Sequence, residues 1–135
     1  MIQCGFLVFL LLSSVANATD KEISVQGTVI IAEGKARLIR TKEKDTLLTS
    51  SDPLIAGIFQ DSRISGKNMK LEGKFLPDGS FEIKRFHIAH GESLYRLIYF
   101  CEVCNIHSFG PGDCVCCQAP FEPLEVLPSD PRVRQ

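Results

Sequence analysis

Tryptophan is absent from the chain, and beyond the first 18 residues no apolar stretch is long enough to cross a membrane. An excess of one charge is also lacking. Fifteen basic side chains stand against 16 acidic ones, a net of −1, so bulk electrostatics single out no partner. Catalytic signatures are missing as well: there is no G-x-S-x-G, no H-E-x-x-H and no glycine-rich phosphate loop. At 135 residues the chain is too short for a two-domain enzyme of the usual kind. Asp52, Asp61 and Asp78 are accounted for by a helix cap, a helix end and a turn, so no acid/base pair stands out.

The first 18 residues carry no Lys, Arg, Asp or Glu, and without them the apolar share falls from 44% to about 40%, an ordinary globular value. They contain the unbroken run FLVFLLL, residues 6–12, then Ser13, Ser14 and Ala16-Asn17-Ala18 ahead of Thr19-Asp20. An apolar run followed by an A-x-A site is the pattern of a secretory signal peptide, cleaved after Ala18, although its first residues lack the usual Lys or Arg. The run is too short to span a bilayer and no Cys follows it to take a lipid. The sequence thus predicts a soluble product, periplasmic or secreted, with no stable membrane span after signal removal.

From Ile23 the apolar pattern has period two. Ile23, Val25, Gly27, Val29 and Ile31 share a face of one long strand, with Gly27 marking a bulge or sharp coil. Glu33-Gly34 turns the chain into a second strand over 35–40, and a third follows over 46–49. Asp52 can then cap a helix of two to three turns that begins at Pro53, with Leu54, Ile55, Ile58 and Phe59 on one stripe. Alternation resumes at Met69, Leu71, Gly73 and Phe75, and Pro77-Asp78-Gly79 makes a hairpin turn into a strand over 80–89. On that strand Phe81 and Ile83 have one parity and Phe86 and Ile88 the other, which a β-bulge near Lys84-Arg85 reconciles. Gly91 leads to a sixth strand over 94–100.

Strand, strand, strand, helix, strand, strand resembles the order of the five-stranded Greek-key barrel called the OB-fold. The resemblance covers residues 23–89 and implies a mainly β, OB-like barrel with one helix. Barrels of this kind commonly bind nucleic acid or sugars, and Lys35, Arg37, Arg40, Lys42 and Lys44 form a basic stretch. Glu43 and Asp45 interrupt it, and residues 19–100 hold 13 basic against 11 acidic groups. Nucleic acid is therefore not the expected partner; an unidentified protein or small ligand on the barrel face is.

Cys4 lies within the signal segment, and the other five cysteines, Cys101, Cys104, Cys114, Cys116 and Cys117, fall within 17 residues. The spacing is Cys101-x2-Cys104, nine residues, then Cys114-x2-Cys117. Two such turns can aim four thiolates at one point, the closed tetrahedral set of structural Zn2+, with Cys116 as an alternative ligand. Two other chemistries stay open: disulfides, which an oxidising compartment favours, and a soft-metal or redox role such as Cu(I) held by thiolates. One cysteine is left over on either a zinc or a disulfide count. His107 could replace one ligand, whereas His87 and His90 are expected to be structural.

The segment YFCEVCNIHSFGPGDCVCCQAPFEP resembles the cysteine tail of small, uncharacterised exported bacterial proteins in which CxxC is followed by Pro-Gly-x-Cys-x-Cys-Cys. That resemblance implies an exported β-domain with a metal-binding tail and carries no activity. After Cys117 the prolines at 120, 123, 128 and 131 predict an irregular tail, in which Phe121, Leu124 and Val126 pack one short extended piece onto the barrel.

The expected organisation is a signal peptide over 1–18, a barrel over 19–100, a cysteine-rich knuckle over 101–117 and a Pro-rich tail over 118–135. The expected function is a non-enzymatic exported binding or interaction module stiffened by zinc. The competing one is a thiol redox or soft-metal-handling protein that uses the CxxC and CxCC cysteines.

Overall fold

A computed structural model describes residues 21–133, so the signal segment lies outside the described residues. The elements are β1 (Ile23–Ala32), β2 (Lys35–Ile39), β3 (Thr46–Thr49), α1 (Pro53–Ile58), β4 (Lys67–Phe75), β5 (Phe81–His90), β6 (Ser93–Cys101), β7 (Ile106–Ser108) and β8 (Glu122–Val126), with 3-10 helices at Ser62–Ile64 and Pro131–Val133. Glu33 and Gly34 both take positive φ, 54° and 70°, the backbone of a two-residue hairpin matched to strand twist. The second hairpin is fixed by Asp78, whose Oδ1 accepts the backbone N–H of Ser80 at 2.9 Å and its hydroxyl at 2.6 Å.

β1 pairs antiparallel with β4 through its first seven residues and with β2 through its last five, so it serves two neighbours along its length. Gly27 sits where this strand crosses β2 closely: a Cβ there would lie 2.6 Å from the Ile39 carbonyl oxygen. β2 pairs with β3 and β4 with β5, and a parallel pairing of β3 with β5, Leu48 opposite Phe81, closes the ring. The cycle β1-β2-β3-β5-β4 is the OB connectivity that the element order predicts. Val29, Leu38, Met69, Leu71, Phe81, Ile83 and Ile88 are fully buried inside it.

The expected bulge is present. Glu72 faces Arg85 but Gly73 faces Ile83, so Lys84 is the extra residue and the parity of β5 reverses there. α1 follows its cap as expected, Asp52 Oδ1 accepting the Leu54 N–H at 2.8 Å. It is shorter than the two to three turns expected, because the chain tightens at Phe59 and Asp61 starts the 3-10 helix by accepting the Arg63 N–H. Ile55, Ile58 and Phe59 enter the core, while Leu54 stays half exposed against the cysteine loop.

β6 begins in the barrel, where Leu94 and Tyr95 pair with Ala89 and Ile88 of β5, and then leaves it. Its remainder forms a second, three-stranded antiparallel sheet with β7 and β8. The extended piece expected of Leu124 and Val126 is β8, which docks on β6, with Phe121 buried just before it; the tail is irregular ahead of β8 but forms the Pro131–Val133 3-10 helix after it. No described helix is long and apolar enough to cross a membrane.

A partly buried polar network ties the two sheets together. The Asp61 carboxylate accepts the Tyr99 hydroxyl at 2.9 Å and both Nε and Nη2 of Arg63, whose Nη1 donates to the Phe121 carbonyl at 2.7 Å. The Arg63 hydrogen bonds lead the effects that hold the Asp61 carboxyl below its ordinary value, and burial pushes the Tyr99 hydroxyl up. Removing the acceptor by Asp61→Ala strands the hydroxyl of a fully buried tyrosine, which should cost roughly 1–3 kcal/mol. A carboxyl with a lowered folded-state pKa adds stability above its unfolded value, about 4, and loses it as pH falls through the folded value. Denaturation curves should therefore show wild type ahead of Asp61→Asn at neutral pH, with the gap closing below about pH 4. A pH-independent gap would remove Asp61 from this role.

Candidate metal centre

The cysteine segment is held by the second sheet at both ends. β6 ends on Cys101, a turn carries Cys104, β7 returns along β6, and a second turn carries Cys114 and Cys117 before β8. The two turns share one construction. Cys101 sulfur accepts the backbone N–H of Cys104, and Cys114 sulfur accepts those of Cys117 and Cys116. The residue after each second cysteine is left-handed, Asn105 at φ 53° and Gln118 at φ 62°. Such a residue reverses the chain directly behind the sulfur and turns the preceding N–H groups towards it. The second turn is further closed by Gln118 N–H to Cys114 O and Cys114 N–H to Ala119 O, both 2.8 Å, and by Phe121 N–H to Gly112 O at 2.9 Å.

The Sγ atoms of Cys101, Cys104, Cys114 and Cys117 all lie within 4.8 Å of one another. Cys101 and Cys117 sulfurs are 3.6 Å apart, beyond the ~2.05 Å of a disulfide and near the ~3.8 Å edge of a thiolate tetrahedron with ~2.3 Å metal–sulfur bonds. The structure thus brings the four expected ligands into a group that can hold a metal ion. Cys101 and Cys114 are buried and Cys117 is exposed, so the group faces the core on one side and solvent on the other.

Cys116 is exposed and outside the four-sulfur group, but near enough for its thiol to act on that of Cys104. Hydrogen bonds from the N–H groups of Cys117 and Cys116 bring the Cys114 thiol down to about 7. Its neighbour Cys104 is pushed up, first by the Cys116 thiol and then by burial. For Cys101 the Cys104 N–H pulls down, but burial and the Cys117 and Cys114 thiols outweigh it. Four crowded sulfurs cannot all be anionic without a cation among them, which is the electrostatic demand a bound metal ion meets.

Among the described residues the histidines stand apart from this group. His107 lies on β7 with its ring 5.6 Å from that of Phe109, and His90 Nε2 contacts Glu125 Oε2 at 2.7 Å. His87 is partly buried, with its pKa lowered by burial first and Arg96 next. The left-handed residues behind each pair were not part of the sequence expectation. Asn105 carries a faint signal for that conformation and Gln118 carries none.

No protein-family model matches the chain, and searches of curated proteins and of solved structures give no significant match.

Proposed function

We propose that the chain is an exported, non-enzymatic binding module whose C-terminal segment is a small ribbon closed by one structural Zn2+. Cys101, Cys104, Cys114 and Cys117 are its ligands. The convergence of these four sulfurs from two like-built turns supports this reading above all else. An all-thiolate set of four leaves no open position for water or substrate, which is the character of structural zinc. Export rests on the A-x-A signal pattern at Ala18. The protein isolated without reductant should contain about one zinc per chain and no disulfide, by elemental analysis and thiol counting. Two disulfides without metal would overturn the site.

A second reading is favoured by the exposed thiol of Cys116 against Cys104: a redox or soft-metal-handling protein that uses the CxxC and CxCC cysteines. Reversible dithiol oxidation near physiological potential, or Cu(I) in place of zinc, would promote it over the first.

A further inference from the structure

A cleft of about 270 Å³ lies between α1, the bulged stretch of β5, the middle of β6, the loop joining the two cysteine turns and Val133 of the last 3-10 helix. Its apolar lining comes from Leu54, Ile55, Phe86, Leu97 and Phe109. The bulge at Lys84 is what brings Phe86 round to this side of the sheet. Three cations, Lys84, Arg85 and Arg96, line it with a single acid, Asp52.

The charges are unequally committed. Asp52 caps α1, Lys84 pairs with Glu82, and Arg85 pairs with Glu72 at 2.9 Å and Glu22 at 2.7 Å. Arg96 is exposed, and its side chain makes no hydrogen bond or ion pair among the described residues. A guanidinium beside this apolar lining matches a ligand with the same division, one anionic fork and one compact apolar body. The volume falls just below the roughly 300 Å³ at which drug-sized pockets begin, so the body is small.

We propose that this cleft binds a small amphiphilic carboxylate, its carboxylate on Arg96 and its apolar body between Leu54, Phe86 and Phe109. The inference deepens the binding-module reading by giving its ligand class, and it does not depend on which metal the cysteines hold.

The test is a 15N–1H titration of the purified chain with sodium octanoate, alongside octanol, which lacks the charge, and acetate, which lacks the body. Octanoate should shift the amides of Leu54, Phe86, Arg96, Leu97 and Phe109 saturably, and each control should bind at least about tenfold more weakly. Arg96→Gln, a surface change, should weaken octanoate by about tenfold and leave octanol unchanged. Equal octanoate binding by Arg96→Gln, or shifts scattered over the surface, would overturn the assignment. Zinc is counted on the same sample. A zinc-containing chain that ignores octanoate overturns this inference and leaves the metal module standing; a metal-free chain that binds octanoate upholds it and removes the zinc.

Discussion

Serine in place of Cys114 should weaken metal binding by roughly 100- to 1,000-fold and lower the thermal midpoint by about 10–16 °C. Structural zinc in small domains contributes roughly 10–16 kcal/mol, or about 2.5–4 kcal/mol per ligand when divided over four. At about 4 °C per kcal/mol for a domain of this size, that division gives the shift. Cys114 is the ligand with most to lose: it is 1% exposed and receives two backbone N–H groups. A serine hydroxyl leaves those donors a poorer acceptor and the metal a harder ligand. The surrounding loop offers little compensation, since Val103 and Val115 at the tips of the turns are 85% and 86% exposed. Cys116→Ser is the matched control and should keep both metal and midpoint, because Cys116 lies outside the four-sulfur group. Calorimetry with elemental analysis decides it, and a Cys114→Ser chain that melts like wild type with one metal bound would exclude Cys114 as a ligand.

Alanine at Gly73 should cost about 3 kcal/mol or more, the upper end of overpacking. A Cβ there would stand 1.9 Å from the Glu82 carbonyl oxygen and 3.0 Å from its carbon, both backbone atoms of the paired strand. No side chain can swing aside to relieve that contact. The bulge itself would have to move, and with it the reversal of parity that turns Phe86 inward. Gly57 supplies the contrast: a Cβ there meets nothing within 4 Å, and the residue lies inside α1. Gly57→Ala should stabilise by about 0.5–1 kcal/mol. Urea denaturation measures both changes, and a Gly73→Ala unfolding free energy within about 0.5 kcal/mol of wild type would show that the bulge yields freely.

The barrel was legible in the sequence because its strands alternate and their turns contain residues with one conformational use. The parity break after Ile83 even located the bulge, since a period of two leaves no other way to bury both Ile83 and Ile88. The small second sheet was not legible as a sheet. Ile106–Ser108 is too short to show a period, and Pro123 argues against a strand unless its missing N–H falls at an edge, as it does where β8 pairs with β6 alone among the described strands. Four ligands of the candidate centre could be read from spacing, because a knuckle is a local structure. The carboxylate cleft could not. It gathers Leu54, Lys84, Arg96 and Phe109 from separate elements, and only barrel closure and the docking of the loop bring them together.

β6 is one covalent strand that pairs in two sheets, and that has a consequence for how the molecule breathes. Its first amides open only with the barrel, whereas those from Tyr99 to Cys101 belong to pairings that end at the sulfurs. Opening free energies along a protein follow cooperative units rather than continuous strands. A gradient of amide exchange should therefore run along β6, with Leu94 keeping the slow rate of the barrel. Phe100 and Cys101 would quicken whenever the sulfur cluster loosens, so that nine residues of a single strand register the state of the cluster as a difference in rate between their two ends.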